Sequence, residues 1–453
     1  MTKKHRILFV VPTLFGHLGP SIPVARHLME QGNTVGYCTG APARQALADI
    51  GVKDFYPRDT YHQAIMDKRM LVKGVYEFLY NSNKVYSKEV LRKYYLELIS
   101  AFEAFRPDIV YMDTYDNLSQ PVVNRAGIPY AHVSAMVPYY FELDIPPVGA
   151  DWDIRTPIRN RFKLIPFLLL TVPLILIRLN HQKKALKSID NQWKIKDYRD
   201  VSPYLYILFS TDGLEFPRRE FIPQMFYVGP SMMDQSSSTP VDFPWSRIDE
   251  TQPLIYIAAG TLFINQYKKF YKDTLDALSE KNFAFPVQVV MAMGKKEYID
   301  ELGEIPSNFI VVPYAPQIEL LKKARLMVTH GGANSVNEAL FFGKPMLVVH
   351  LGGDRLAVGQ RVAYRGAGIC MDVDTVSPEK IKQHVITLLH DPGYTAAAKT
   401  IMDSYRKCDG AKTASGLIQQ LADTRRPVYR KKGAPITLEK INDLPEYLDV
   451  GRS

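Results

Sequence analysis

Late in the chain, the run Val328-Thr329-His330-Gly331-Gly332-Ala333-Asn334-Ser335-Val336-Asn337-Glu338 sets a histidine and two glycines between an apolar segment and a helical pattern. Leu326 to Thr329 reads as a short buried strand and Val336 to Phe342 as a helix, which leaves residues 330–335 as the connecting loop. A loop that ends at a helix N-terminus presents free backbone N–H groups and the positive end of the helix dipole. Paired glycines let an anion come close to the backbone, so the chemistry expected here is the holding of a phosphate. Gly343-Lys344-Pro345 then turns the chain into a second apolar strand, Met346 to His350, and completes one βαβ unit.

Positioning such a loop requires a large scaffold. A chain of 453 residues exceeds one ordinary core and predicts two domains of roughly 200 residues each. The apolar fraction of 46% and charged fraction of 23% are those of a folded protein. With 56 basic and 47 acidic residues the formal charge is +9, which favours anionic ligands or surfaces without choosing among nucleotide, nucleic acid and acidic lipid. Cys38, Cys370 and Cys408 lie far apart with no metal-like spacing, as in a reducing cytoplasm. Near the N-terminus, the apolar residues Ile7 to Val11 stop at Pro12. That run is a strand, too short for a signal-peptide core, so secretion is not expected.

The chain opens as a Rossmann-like βαβ unit. Ile7 to Val11 is the strand, Pro12 to Gly19 the loop, and a helix with Pro20 near its first position runs to Gly32 before the strand Thr34 to Cys38. Tyr76 to Phe105 reads as one long helix, and Ile109 to Asp113 as a strand that ends on a carboxylate. Tyr204 to Ser210 is the expected last strand of the first half. A second βα series starts at Leu254 to Ala258, and Pro378 to Leu389 and Ala411 to Leu421 are its closing helices. The expected organisation is therefore residues 1–227 as a first domain with an insert at 151–196, a linker at 228–250, a second domain at 251–410, and a closing helix with a basic tail at 411–453.

Within that insert, Leu164 to Ile177 is almost wholly apolar and is flanked by Arg155, Arg159, Arg161 and Lys163 before it and Arg178, Lys183, Lys184 and Lys187 after it. A run of this length, with two prolines, falls short of the roughly 20 residues that span a bilayer as a helix. Two readings stay open: a helix that lines a core or pocket, and an interfacial segment that rests on an anionic membrane through residues 155–187.

Two motifs about 300 residues apart carry a resemblance. Gly16-His17-Leu18-Gly19-Pro20, followed by Ala25-Arg26-His27-Leu28 and Gly32, is similar to the opening of family-one nucleotide-sugar glycosyltransferases. Tyr314-Ala315-Pro316-Gln317, Thr329-His330-Gly331-Gly332, Asn334-Ser335, Glu338 and Gly343-x-Pro345 resemble the donor-binding signature of that family. The likeness covers most of the chain and is thinnest between Tyr139 and Met233. It implies an α/β chain of GT-B architecture, two Rossmann-like doubly wound parallel-sheet domains that face a central cleft. It also implies inverting transfer of a hexose, glucose foremost, from a UDP-sugar to a hydroxyl of a lipophilic acceptor.

The same resemblance assigns roles. His17 matches the general base and Asp113 the carboxylate that orients it, with Asp116 a weaker candidate; an imidazole suits the task because it titrates near neutral pH. The competing reading makes His17 a helix cap and Asp113 a loop residue. On the donor side, His330, Gly332, Asn334, Ser335 and Thr261 match the diphosphate cradle, Tyr314 the ring that stacks on uracil, and Glu338 the ribose-binding carboxylate. Gln317 falls within the same signature. Ser335-x-x-Glu338 also fits a helix capping box, a plainly structural alternative. Where the family commonly has Asp-Gln to grip the sugar, this chain has Asp354-Arg355. Asp354 can still accept hydroxyl hydrogen bonds and Arg355 cannot, so the sugar site is altered or Arg355 turns away to the surface.

Neither a metal nor any cofactor is expected, because helix dipoles can neutralise a diphosphate. The expected partners are the UDP-sugar and a lipophilic acceptor, with an anionic membrane surface only under the interfacial reading of residues 155–187, and no nucleic acid. The expected location is cytoplasmic, and under the interfacial reading of residues 155–187 peripheral on the inner face of the membrane. A nucleotide-sugar epimerase of the same architecture is the main alternative. A dinucleotide-dependent oxidoreductase is disfavoured, because Gly16 and Gly19 do not make a Gly-x-Gly-x-x-Gly turn.

Overall fold

The computed structural model describes residues 3–67, 74–140, 142–193, 201–232, 241–260, 264–439 and 444–450. Its first sheet contains β1 (Arg6–Val10), β2 (Thr34–Thr39), β3 (Asp54–Pro57), β4 (Ile109–Asp113), β5 (Tyr130–Ser134), β6 (Leu205–Leu208) and β7 (Met225–Tyr227). They lie in the order β3-β2-β1-β4-β5-β6-β7, parallel throughout. Parallel strands covered on both faces must be apolar at nearly every position, and the period of two divides each strand between two cores. Ile7, Phe9, Tyr37 and Tyr111 face the helices Phe15–Glu30 and Gly410–Thr424, while Leu8, Val10, Val110 and Met112 face the helix Lys88–Phe105.

The second sheet contains β8 (Leu254–Ala258), β9 (Gln288–Ala292), β10 (Phe309–Val312), β11 (Leu326–Thr329), β12 (Met346–His350) and β13 (Gly368–Asp372). Its order is β10-β9-β8-β11-β12-β13, again all parallel. Both sheets reverse their strand order next to their first strand. In each sheet this opens a crevice at the carboxyl ends, between β1 and β4 and between β8 and β11, where ligands of such sheets bind.

Several elements differ from the sequence reading. The helix expected to begin near Pro20 starts at Phe15, so His17 sits in its first turn rather than in a loop, and both Pro20 and Pro23 lie inside the helix. Each proline removes one N–H from the helical ladder, Pro20 in the second turn and Pro23 at mid-helix. The stretch expected as one helix from Tyr76 to Phe105 is two, Val75–Val85 and Lys88–Phe105, because Ser87 stops the first and caps the second by accepting from the Val90 N–H. Strand β7 lies beyond the expected last strand, and helix Pro392–Arg406 adds to the closing helices. Around the apolar insert a single helix, Pro157–Lys187, runs 31 residues through both of its prolines and takes in the basic flanks.

The two halves are joined by packing and by polar contacts. Met136, Val137 and Leu214 leave the first sheet and enter the core of the second with Tyr256, Met327 and Val348. Glu215 and Arg361 form a buried two-pronged ion pair at 2.7 and 3.1 Å, and Tyr227 donates to the same carboxylate at 2.9 Å. In the other direction, helix Gly410–Thr424 returns from the second half and buries Ala414, Leu417, Ile418 and Leu421 in the core of the first.

Candidate active site

At the crevice of the first sheet, β4 ends on Asp113 and the helix after β1 begins two residues before His17. This brings together residues 96 apart in sequence: His17 Nδ1 lies 3.0 and 3.1 Å from the two carboxylate oxygens of Asp113. Asp113 is buried, and one of its oxygens also accepts from the Tyr115 N–H at 2.8 Å. That second bond fixes the carboxylate in place. Because Nδ1 is occupied, Nε2 is the ring nitrogen left without a protein partner among the described residues. Burial disfavours the imidazolium, yet the charge and hydrogen bond of Asp113, aided by Asp354 and opposed by Arg355, raise the His17 pKa above its ordinary value. Asp354 and Arg355 come from the other half of the molecule, so the imidazole feels both walls of the cleft.

On the facing wall, β11 ends at Thr329 and helix Ala333–Phe341 starts three residues earlier than the sequence reading placed it. The connecting loop is therefore His330-Gly331-Gly332, with Asn334 and Ser335 in the first helical turn. Gly332 is the N-cap and provides no side-chain cap, so the first helical N–H groups stay open to a ligand. The glycines here are steric requirements. Gly331 has φ +87°, and a Cβ there would lie 2.9 Å from the Arg355 carbonyl oxygen; one on Gly332 would lie 2.6 Å from His330 Nε2. From β8, Gly260 closes on the same imidazole: its Cβ would come within 2.9 Å of the His330 ring. Burial, with Arg355 beside it, lowers the His330 pKa to about 4, so the ring is neutral at physiological pH.

The capping-box reading of Ser335 and Glu338 fails, because Ser335 is inside the helix rather than at its cap. Gln317 instead links the pair. Its amide donates to Glu338 and lies 3.4 Å from the Ser335 hydroxyl, while Tyr256 donates to its carbonyl at 3.1 Å. Burial pushes the Glu338 carboxyl up to about 7 against the opposing Gln317 bond. Tyr314 is 58% exposed on the loop after β10, an open ring face. Thr261 lies outside the described residues.

Asp354 and Arg355 occupy the first turn of helix Gly353–Tyr364, whose N-cap Gly352 has φ +86°. The surface alternative for Arg355 fails: its side chain is only 19% exposed, and its charge acts on His17, Tyr115, His330 and Tyr267. Asp116 points elsewhere than the weaker reading supposed. It is fully buried, 2.5 Å from Arg58 Nη1 and accepting from the Tyr94 hydroxyl at 2.7 Å, which pins the 3-10 turn Thr114–Ser119.

Two participants were not singled out in the sequence. Tyr115 lies against His17, ring centroids 5.0 Å apart, and covers one side of the imidazole. Asn337, on the inward face of helix Ala333–Phe341, donates to the Phe209 and Ala135 carbonyls at 2.8 and 3.3 Å and accepts from Tyr405 at 2.7 Å. It thereby fixes this helix to the first half. A polar residue at a helical core position was the only available signal for Asn337, and Tyr115 gave none beyond its place after Asp113.

Two doubly wound parallel sheets that present their crevices to one cleft make this a GT-B fold. The same fold, with a TM-score of 0.72 at 21% identity over 92% of this chain and 99% of the other, is seen in the crystal structure of the kitacinnamycin glycotransferase. Residues 275–408 match the family described as erythromycin biosynthesis protein CIII-like, C-terminal domain. The uncharacterized UDP-glucosyltransferase YojK of Bacillus subtilis is 36% identical over 234 residues, 51% of this chain and 56% of the relative, so that match spans about half of each. The 4'-demethylrebeccamycin synthase of Lentzea aerocolonigenes is 24% identical over 92% of this chain and 99% of its own length. By sequence the chain is similar to bacterial glycosyltransferases, and its fold is the one they share. The epimerase alternative gains no support from these relatives and is set aside.

Proposed function

We propose that this protein transfers a hexose, with glucose the first candidate, from a UDP-sugar to a hydroxyl of a lipophilic acceptor, with inversion at the anomeric carbon. The observation that carries this reading is the His17–Asp113 pair facing, across the cleft, a helix N-terminus with no side-chain cap. His17 Nε2 takes the acceptor proton as the acceptor oxygen bonds to the anomeric carbon. The bond from that carbon to the diphosphate oxygen breaks, and UDP leaves with the electron pair. A single displacement of this kind inverts the centre, and His17 then releases its proton to solvent.

On the donor side, the N–H groups at Gly332, Asn334 and Ser335, with neutral His330 and Thr261, hold the departing diphosphate. Tyr314 stacks on the uracil ring, and Glu338, steered by Gln317, takes the ribose hydroxyls. Asp354 accepts from the sugar hydroxyls, while Arg355 is the departure that tunes which sugar fits. No divalent ion or other cofactor enters this scheme.

The decisive experiment is a donor-by-acceptor screen with lipophilic alcohols, run alongside His17→Ala. Loss of at least two orders of magnitude in transfer is expected for this variant. Activity within about threefold of wild type would remove His17 from the base role.

A further inference from the structure

Helix Pro157–Lys187 packs against the helices Val75–Val85 and Lys88–Phe105, and Asn160, Leu164, Thr171, Leu174, Gln182 and Ala185 are among its buried residues. Its opposite side has no cover among the described residues. Ile158, Phe162, Ile165, Leu169, Val172 and Leu176 recur there at alternating spacings of four and three, all between 42% and 72% exposed. Continuing the same line, Lys183 and Lys187 are exposed, as are Arg159 and Lys184 on its flanks and Arg155 just before the helix. The helix holds no carboxylate anywhere in its 31 residues. Among the described residues, Arg161 on the same helix is the exposed cation that an acid partners, Asp144 at 2.6 Å.

We infer that this outward face is a docking surface for an anionic lipid bilayer, in which the helix lies flat, with its apolar line among the acyl chains and its cations on the headgroups. Charge decides between occupants. A second copy of the chain seated on this face would set lysine against lysine with no acid on the helix to relieve it, whereas acidic headgroups complement it. Spanning the membrane does not fit. By length and composition alone the helix could cross a bilayer, but insertion would strip from the domain the face it packs against Val75–Val85 and Lys88–Phe105.

The docked face is connected to the acceptor side of the cleft. The Asn83 amide donates to the Leu174 carbonyl at 2.8 Å, Arg178 reaches Ser82 and sits over the Tyr86 ring, and both Arg178 and Tyr86 lie within electrostatic range of Tyr115, the ring against His17. A lipophilic alcohol dissolved in the bilayer would thus enter the cleft from the membrane side. This delivery rests on the proposed transfer reaction, whereas docking itself does not.

The test is co-flotation of the full chain with vesicles of phosphatidylcholine alone or mixed with phosphatidylglycerol. Recovery about tenfold higher on the anionic vesicles is expected, and it should fall as salt rises. Phe162→Glu with Leu169→Glu should bring recovery down to the neutral-vesicle level while leaving transfer to a short, water-soluble alcohol within about twofold of wild type. Lys183→Gln with Lys187→Gln keeps the apolar line and should lose the preference for anionic lipid. Equal recovery on both vesicle types, or none on either, overturns docking whatever the enzyme's activity. So does a solution dimer that the double glutamate variant dissolves while vesicles recover neither protein. Flotation as expected without transfer to any alcohol would sink the proposed reaction and leave docking intact.

Discussion

Two opposing fields act on the His17 imidazole. Asp113 stabilises the protonated ring and Arg355 destabilises it, so removing either should move the acid limb of the pH–rate profile in a predictable direction. Only neutral His17 can act as base, so Asp113→Asn should shift that limb to lower pH and slow transfer by at least tenfold. Arg355→Gln should shift it to higher pH, with the rate on the plateau changed less. A kcat/KM profile for each variant checks both directions. Glu338 poses a different balance. Its folded pKa is raised to about 7, so ionisation costs stability that begins to be lost as pH rises through the unfolded carboxyl value and is fully lost above the folded one. Glu338→Gln should therefore raise stability at pH 8 by on the order of 1–2 kcal/mol, leave it unchanged in acid, and weaken donor binding. Melting curves at the two pH values and a donor KM separate these effects. Residue types at this scale were largely legible: an imidazole and a carboxylate at strand ends, and glycines before a helix. Their partners were not, since the contact of Tyr115 with His17 and the bond from Gln317 to Glu338 depend on backbone directions that spacing does not encode.

The elements that join the halves depend on a few buried polar bonds. Arg361 and Arg218 outweigh the burial of Glu215 and hold its carboxyl below the usual range. The stability this provides is present above the unfolded carboxyl pKa and is lost as pH falls through the folded one. Glu215→Gln leaves Arg361 buried without a counter-charge and should cost on the order of 3–5 kcal/mol at neutral pH, a gap that narrows in acid where the wild type protonates. Urea melts across that range measure it. The apolar strands of both sheets were readable because burial on two faces demands continuous hydrophobic runs. Helix boundaries were less so. Pro20, Pro166 and Pro173 each looked like a break or an early position, yet each lies inside a helix whose flanking turns are held by tertiary packing. Strand β3 is partly exposed, and β7 is only three residues long, so neither carries a strong apolar signature.

At the scale of the whole molecule, the chain crosses between its halves more than once. Helix Gly410–Thr424 comes back to the first sheet, where Asn33 donates to Gln419 at 2.8 Å and His5 sits 2.7 Å from Asp423, so the N-terminal strand is tied to the C-terminal helix. Ending the chain after Asp409 would uncover the side of the first sheet that this helix covers, with Leu417, Ile418 and Leu421 each contributing on the order of 1.5–3 kcal/mol by burial. Such a protein is expected to lose cooperative unfolding of the first half while the second half keeps its own transition, which domain-resolved hydrogen exchange would detect.

That return also decides how the molecule can be recombined. A hybrid meant to graft a foreign first half onto this second half cannot be cut once, in the connection between the sheets. It needs a second junction near residue 409, so that the last helix travels with the sheet it covers. A single-cut hybrid would pair the foreign first sheet with a last helix shaped for another protein. The exchangeable unit here is discontinuous in sequence, made of the beginning and the end of the chain together.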